Sequence, residues 1–221
     1  MLLEIKDLVY KADDRTILDK MNLQVDKGET IAIVGPSGSG KSTLQKQICN
    51  LISPTSGELY FKGKAFSDYN PEELRRHISY LMQNSYLFGE TIGDNLKFPS
   101  IARNDSFDEQ RAKQLIKDVG LSHYNLDSEI EHMSGGERQR ITIARQLMYI
   151  PDLLLLDEST SALDVHNKEV IEDIIFKLAT DKGVAIMWIT HSDDQSMRHF
   201  QKRMTIVDGK ISKVEELKHN E

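Results

Sequence analysis

The stretch Glu29-Thr-Ile-Ala-Ile-Val-Gly-Pro-Ser-Gly-Ser-Gly-Lys-Ser42 decides the fold of this chain. Residues Glu29–Val34 form an apolar run of strand length, and Gly35–Ser42 fit the pattern G-x-x-x-x-G-K-[ST]. A stretch compatible with a helix, Ser42–Leu51, follows directly. Strand, glycine loop and helix in this order are the setting that the pattern requires. A plain Gly/Ser-rich turn is the alternative, and it would not explain these flanks.

The glycine loop is suited to binding phosphate groups. Glycines let successive backbone N–H groups converge on phosphate oxygens without Cβ clashes, and the helix N-terminus adds partial positive charge. Lys41 is expected to reach the β- and γ-phosphates, and the Ser42 hydroxyl is expected to bind Mg²⁺. The expected ATP-binding residues are Gly35, Pro36, Ser37, Gly38, Ser39, Gly40, Lys41, Ser42 and Thr43.

A second core strand is predicted by Leu153-Leu-Leu-Leu-Asp157-Glu158. The leucines favour a strand buried on both faces, as in a parallel sheet covered by helices. A plain core strand would have the same leucines but not two adjacent carboxylates at its end. We expect Asp157 to hold Mg²⁺, mainly through water, and Glu158 to polarise the attacking water as a general base.

The segment Met133-Ser-Gly-Gly-Glu-Arg-Gln-Arg140 lies shortly before this acidic strand. Ser134 and the N–H groups of Gly135 and Gly136 stand where a helix is predicted to begin, so they can cradle a phosphate. Few proteins with a phosphate loop and an acidic strand end also have such a segment. With it, the chain resembles the nucleotide-binding domain of ATP-binding cassette (ABC) proteins over nearly its whole length.

The resemblance matches each motif to a place in that family. Gly35–Ser42 corresponds to the Walker A loop, Leu153–Asp157 to the Walker B strand, and Ser134–Glu137 to the signature loop. Two further motifs follow the same order as in the family: Gln83 at the Q-loop and Ser161–Asp164 at the D-loop.

The resemblance also implies roles for single residues. Gln83 would offer its amide oxygen to Mg²⁺, and His191, as the switch histidine, would contact the γ-phosphate and sense its loss. Together with Glu158 these are the expected catalytic residues. Asp164 would contact the Walker A loop of a second chain. It also fits a helix N-cap before Val165–Leu178, and both roles are compatible.

A dimer is implied by the position of the signature loop in this family. Ser134, Gly135, Gly136 and Glu137 are expected to contact the ATP bound to a second copy, in a head-to-tail homodimer around two Mg-ATP. Glu137 replaces the commoner family glutamine, a mild departure because backbone N–H groups do most of the work. The stacking aromatic of the family is replaced by Ala12, and whether Tyr10 substitutes for it is left open.

The fold class expected is α/β. It comprises a P-loop NTPase core with a mostly parallel sheet, an N-terminal antiparallel β subdomain and an inserted helical subdomain. The 221 residues suit a single nucleotide-binding domain, 1–221, with the core at 1–83 and 151–221 and the helical subdomain at about 84–150. Strands are predicted at 2–9, 21–25, 29–34, 57–62 and 184–190, a closing hairpin at 204–214, helices at 71–77, 107–119 and 136–148, and an irregular link at 99–106.

Composition narrows the setting in which the chain works. The net charge of −7 disfavours a nucleic-acid surface, and the single cysteine, Cys49, is expected in the core, which fits a reducing cytosol. No apolar run approaches the roughly 18–20 residues that cross a bilayer. Any membrane segments would then belong to another polypeptide, and the resemblance to ABC proteins implies a peripheral protein on the cytoplasmic side of a bacterial cell membrane that works with a separate transmembrane permease.

The permease is expected to dock near Gln83–Gly89. Tyr86, Leu87 and Phe88 cluster there, in the region that receives a short helix of the membrane subunit in this family. Core contacts within the helical subdomain are the alternative. The sequence of Leu87–Asn95 resembles that of export-type cassettes, and several other segments resemble those of a bacterial group of ATPase subunits implicated in iron export. The function expected is thus an ATPase that drives a transporter. A soluble cassette ATPase acting on ribosomes or DNA, or a non-hydrolysing regulatory module, are the alternatives.

Overall fold

The structure, a computed structural model, describes residues 1–82, 86–160 and 163–217. Its strands are β1 (Leu3–Ala12), β2 (Arg15–Val25), β3 (Thr30–Val34), β4 (Ser56–Phe61), β5 (Lys64–Ala65), β6 (Ile78–Leu81), β7 (Leu153–Asp157), β8 (Ala185–Ile189), β9 (Lys202–Val207) and β10 (Lys210–Glu216). Its helices are α1 (Lys41–Ile48), α2 (Pro71–His77), α3 (Ile92–Arg103), α4 (Glu109–Asp118), α5 (Gly135–Leu147), α6 (Val165–Lys182) and α7 (Asp193–Arg198).

The larger sheet has the strand order β10-β9-β3-β8-β7-β6. Strand β3 pairs in parallel with β8 and β9, and β7 pairs in parallel with β8. Every residue of β3, β7 and β8 is buried, as the continuous apolar runs predicted. The predicted P-loop α/β core is therefore confirmed, and the phosphate loop and the acidic pair both follow strands of this sheet.

The closing hairpin is also confirmed. Strands β9 and β10 pair antiparallel, and the turn between them places Asp208 and Gly209 at φ angles of 48° and 73°. Positive φ at both central residues is the requirement of the tight hairpin turn for which Asp-Gly is favoured.

The smaller sheet is antiparallel, with the order β2-β1-β4-β5, which confirms the N-terminal β subdomain. Strands β1 and β2 are longer than predicted, because the pairing continues through irregular register near Leu8 and Tyr10. Asp7 there has a φ of 46°, which interrupts the alternation that sequence reasoning depends on. Leu3, Ile5 and other side chains of this sheet share one buried cluster with Ile31 and Leu153 of the larger sheet.

One prediction for the helical region is wrong. The link predicted at 99–106 begins inside α3, which continues through Pro99 to Arg103. Thr91 and Asp94 form a capping box at the start of this helix, and Leu96 on its inner side is fully buried. Capping and burial offset the lost backbone hydrogen bond of a mid-helix proline, which costs about 3 kcal/mol.

Two compact units divide the chain. The first contains residues 1–80, 151–158 and 179–221, and the second contains 81–150 and 159–178. The predicted helices at 107–119 and 136–148 appear in the second unit as α4 and α5. Among the helices described, none combines the length and the apolar character needed to span a bilayer.

Candidate functional site

Two glycines fix the path of the loop between β3 and α1. Gly35 has a φ of 141°, and a Cβ added to it would lie 2.0 Å from the carbonyl oxygen of Ile206. Gly40 has a φ of 102°, and its Cβ would lie 2.8 Å from Leu18 Cδ2. Gly38, by contrast, has open space around it. The loop is therefore held tightly at both ends and presents a free backbone in the middle, where a phosphate can approach.

Lys41 begins α1, and its side chain turns back into the loop. Its Nζ donates to the carbonyl oxygens of Gly35 at 2.9 Å and Pro36 at 2.8 Å, and the residue is only 6% exposed. Burial lowers the pKa of Lys41, against the opposing effect of the Glu158 and Asp157 carboxylates. The ammonium thus lies ready in the loop, bound to neutral carbonyls that a phosphate can replace.

Ser42 and Thr43 follow Lys41 in the first turn of α1, where both are half-buried. The helix is anchored to the sheet by Gln45, a fully buried residue. Its Nε2 donates to the carbonyl oxygens of Leu156 at 3.2 Å and Met187 at 3.0 Å. This glutamine, which the sequence patterns did not single out, ties the phosphate-loop helix to the strand that ends in the acidic pair.

Asp157 is the last residue of β7 and is 6% exposed. Its Oδ2 accepts a hydrogen bond of 3.1 Å from the Tyr80 hydroxyl on β6. Burial, and then the negative charge of Asp157, raise the pKa of Tyr80 well above its usual range. Tyr80 was not predicted as a site residue, because the strand neighbours of β7 cannot be read from the acidic motif.

Glu158 follows β7 and has a φ of 49°. Its N–H donates to the Ile189 carbonyl oxygen at 3.1 Å, and its Oε1 lies 2.8 Å from His191 Nε2. The structure therefore brings together Glu158 and His191, the two catalytic residues predicted in this unit. A left-handed backbone at a non-glycine residue costs on the order of 1–3 kcal/mol and is concentrated at functional sites.

The segment Ser134–Glu137 begins α5 through a capping box in the second unit. The Ser134 N–H donates to Glu137 Oε2 at 2.8 Å, and the Glu137 N–H donates to Ser134 Oγ at 3.3 Å. The hydrogen bond from the Ser134 backbone is the main reason that the pKa of Glu137 is lowered. The first-turn N–H groups of Gly135 and Gly136 are not needed by the helix itself and can serve an external anion.

Asp164 is the N-cap of α6. Its Oδ1 accepts from the Asn167 N–H at 3.0 Å, and its carbonyl accepts from the Lys168 N–H at 2.9 Å. The N-cap interpretation is confirmed, while the contact with a second chain stays a prediction. Gln83, and Ser161 of the same loop as Asp164, lie outside the described residues.

Neither of the two positions considered for adenine stacking, Tyr10 and Ala12, presents an exposed aromatic ring. Tyr10 is half-buried and packs against the core cluster, and Ala12 is exposed. An irregularity in the pairing of β1 lies between Tyr10 and Lys11, so the two positions are not simple neighbours on one face.

Four large apolar residues of the second unit are exposed, and we refer to them together as the aromatic patch: Tyr86, Phe88, Phe98 and Ile101. Tyr86 is 79% exposed, and the rings of Phe88 and Phe98 are 4.8 Å apart in an edge contact. Arg145 supports it, with its guanidinium 5.3 Å from the Phe88 ring and a bond of 3.1 Å to the Tyr86 carbonyl. Phe88 thus has contacts within its unit, whereas the Tyr86 side chain extends into solvent.

The fold and the site define a class of protein. A glycine-rich loop between a parallel strand and a helix, with an acidic pair at the end of another strand of that sheet, is the arrangement of a P-loop nucleoside triphosphatase. The chain belongs to the ABC transporter family, whose model matches residues 18–161. The resemblance drawn from the motifs is confirmed.

Similar proteins agree with this assignment. The chain is 41% identical over 205 residues to the probable iron export ATP-binding protein FetA of Escherichia coli strain K12, covering 93% of this chain and 91% of that protein. It matches a dimeric ATP-binding cassette, solved in a post-hydrolysis state with ADP and Pi, at a TM-score of 0.88 and 30% identity over 99% of this chain and 100% of that one. The chain is accordingly an ATPase.

An exporter structure matches as well. The structure of a bacterial Atm1-family ABC exporter with ATP bound has a TM-score of 0.87 and 26% identity. The match covers 97% of this chain but 38% of that one. The cassette fold is therefore the shared part.

Proposed function

We propose that the chain is the ATP-hydrolysing subunit of a membrane ABC transporter, and that two copies close head to tail around two Mg-ATP. The observation that carries this proposal is the carboxylate–histidine pair, Glu158 and His191, 2.8 Å apart at the end of the acidic strand. It stands in the same compact unit as the phosphate loop with its preset Lys41. Hydrolysis needs both a phosphate-binding group and a base, and this unit supplies them.

Nucleotide binding is proposed to use the loop from Gly35 to Thr43. The β- and γ-phosphates take the place of the carbonyl oxygens that hold Lys41, and the backbone N–H groups of the loop point at the same phosphates. Exchanging a neutral acceptor for a charged one strengthens each hydrogen bond of the ammonium, since charge-assisted bonds are roughly twice as strong. Lys41 therefore favours the bound state without leaving the loop.

The residues around the loop fit a magnesium ion bound with the nucleotide. Ser42 and Asp157 offer a hydroxyl and a carboxylate oxygen, the hard donors that Mg²⁺ prefers, and Gln83 is proposed to add an amide oxygen. When bound, Mg²⁺ neutralises developing charge on the phosphate oxygens. Asp157 keeps its carboxylate at the end of a buried strand, where its orientation is fixed.

Glu158 is proposed to act as the general base. A carboxylate oxygen of Glu158 accepts a proton from the attacking water, and His191 Nε2, bonded to Oε1, orients the carboxylate. A positioned base contributes about 10²–10⁴-fold to the rate. The Asp157 carboxylate bonds to Tyr80 and the Glu158 carboxylate to His191, so the two neighbours have different partners and are proposed to serve different tasks.

The second half of the active site is proposed to come from the other copy. Ser134 and the free first-turn N–H groups of Gly135 and Gly136 would bind the γ-phosphate held by the partner chain, with Glu137 holding the loop and Asp164 contacting the partner's phosphate loop. The relative solved as a dimer with ADP and Pi supports pairing. ATP then joins two chains, and hydrolysis releases them.

The mechanical output is proposed to pass to a separate permease at the aromatic patch. Tyr86, Phe88, Phe98 and Ile101 are exposed, and exposed apolar side chains of this size are typical of protein interfaces. The chain would then work at the cytoplasmic side of the cell membrane. Similarity to a probable iron export protein and to an exporter supports export, with iron or another metal as cargo.

An ATP-stabilised dimer of Glu158→Gln tests the pairing. With Mg-ATP we expect this variant to elute from gel filtration as a dimer, because nucleotide binds without being hydrolysed. With ADP, and in a control that carries Glu58→Gln on the exposed surface of the same unit, we expect monomer. A Glu158→Gln protein that binds Mg-ATP and stays monomeric would rule out the sandwich. Affinity purification from membranes then identifies the permease.

A further inference from the structure

The hydroxyl of Tyr80 on β6 reaches the carboxylate at the end of the neighbouring strand, β7. It donates to Asp157 Oδ2 at 3.1 Å. In residues 1–82, 86–160 and 163–217 this is the only hydrogen bond to the Asp157 side chain that the structure contains. Asp157 is 6% exposed, so solvent alone does little to orient its carboxylate. Tyr80 is therefore the group that fixes one of the two carboxylate oxygens.

The Tyr80 ring is itself held firmly. It lies on β6, next to β7 in the order of the sheet, and it packs against the main buried cluster. Its hydroxyl is a phenol, whose ordinary pKa of about 10 leaves it protonated and able to donate at physiological pH. A rigid aromatic ring with a protonated hydroxyl transmits the position of β6 to the carboxylate at the end of β7.

The carboxylate that lies just before β7 shows, by contrast, what Tyr80 does not do to Asp157. Asp152, just before β7, has its Oδ2 at 2.8 Å from Lys62 Nζ and 2.7 Å from His77 Nδ1. That carboxylate is neutralised by a cation. Asp157 instead has a neutral donor, while the nearby Lys41 is bonded to backbone carbonyls. The negative charge of Asp157 thus remains available to a cation that arrives with the nucleotide.

We propose that Tyr80 is a positioning residue for the divalent cation: its hydroxyl holds the Asp157 carboxylate in the orientation in which the cation is received. The inference rests on the proposed function, since it takes Asp157 as a magnesium ligand. Partners that orient metal ligands typically change metal affinity by about 10–100-fold when they are removed. A single neutral hydrogen bond falls at the lower end, so we expect about a tenfold effect.

The test is Tyr80→Phe, which removes only the hydroxyl, with Tyr69→Phe as the matched control. The Tyr69 hydroxyl is also in a half-buried setting of the same unit, but it donates to the Phe61 carbonyl oxygen at 3.0 Å. Binding of a fluorescent ADP analogue is measured at increasing Mg²⁺ and in EDTA. For Tyr80→Phe we expect the half-saturating Mg²⁺ to rise about tenfold. Metal-free affinity should not change, and Tyr69→Phe should match the wild type in both.

Each outcome separates the claims. A Tyr80→Phe protein with the Mg²⁺ dependence of the wild type, or with an equal loss of metal-free affinity, overturns the positioning role and leaves the ATPase proposal standing. A wild type whose nucleotide binding ignores Mg²⁺ overturns the cation site itself. Thermal unfolding checks that the variant is folded. If Tyr80→Phe is not folded, p-aminophenylalanine is placed at position 80 instead, because it retains a hydrogen-bond donor, and this variant should show the Mg²⁺ dependence of the wild type. A folded p-aminophenylalanine variant with a different Mg²⁺ dependence also overturns the positioning role of Tyr80.

Discussion

Replacing Glu158 by glutamine removes the proposed base and leaves its surroundings nearly unchanged. The side chain keeps its shape, and the amide can still bond His191, whose Nε2 lies 2.8 Å from Oε1 in the native chain. The backbone bond from the Glu158 N–H to the Ile189 carbonyl oxygen is not affected. What is lost is the ability to accept a proton from water.

The size of the effect follows from the role. Loss of a positioned base is expected to lower kcat about 10²–10⁴-fold, which corresponds to about 2.7–5.4 kcal/mol of transition-state stabilisation. The affinity for ATP should stay within about twofold of the wild type, because the phosphate loop is intact and the lost interaction acts only in the transition state. Phosphate release gives kcat, and equilibrium binding of a fluorescent ATP analogue gives the affinity.

The exposed Glu58→Gln variant serves as the control for loss of one carboxylate, and it should keep the turnover of the wild type. The reasoning would be refuted by a Glu158→Gln protein that binds ATP normally and retains more than about a tenth of the wild-type kcat. Such a loss, under about tenfold, is smaller than the roughly 100-fold minimum expected when a positioned base is removed. An equal loss in the Glu58 control would also contradict it.

Two further predictions concern stability. Gly35→Ala should lower the free energy of unfolding by about 3 kcal/mol, because the added Cβ would lie 2.0 Å from a backbone oxygen. Gly38→Ala has open space and should lower it by only about 1 kcal/mol, from backbone strain alone. Equal losses for the two variants in urea unfolding would count against a tightly held loop. Burial raises the pKa of Asp152, but hydrogen bonds from Lys62 and His77 outweigh burial and leave the folded pKa below the ordinary value. This carboxylate therefore stabilises the fold at pH values above its unfolded pKa of about 3.9, and the stabilisation is lost as the pH falls through the folded pKa. Denaturation at pH 7 and at decreasing acid pH should therefore show a smaller acid loss in Asp152→Asn, and an unchanged pH profile would contradict the assignment.

Local patterns predicted the parts of the fold that depend on neighbours in sequence. The apolar run before Gly35 and the leucines before Asp157 became fully buried strands, since continuous hydrophobicity is what a buried parallel strand requires. Ser134 and Glu137 form the capping box that their spacing indicates. Helix α3 was missed, because Pro99 resembles a break when the buried face and cap of the helix are not weighed against it.

The parts that depend on the order of strands could not be read from the chain. Tyr80 meets Asp157 only because β6 and β7 are neighbours in the sheet, and nothing in either segment states this. Gln45 resembles a surface residue of a helix, yet it is fully buried and donates to the carbonyl oxygens of Leu156 in β7 and Met187 in β8. The left-handed backbone of Glu158 is likewise fixed by tertiary contacts and not by the residue type.

The central claim is that each ATP is hydrolysed between the phosphate loop of one chain and the segment Ser134–Glu137 of another. Mixing Lys41→Ala with Ser134→Arg tests it directly, because each variant alone lacks every complete site. With random pairing of equal amounts, about half of the dimers are mixed, and each mixed two-fold dimer has one intact site of its two. The mixture is therefore expected to have about a quarter of the wild-type ATPase activity. If the two segments act within one chain, the mixture stays as inactive as its separate components, and that result would contradict the account.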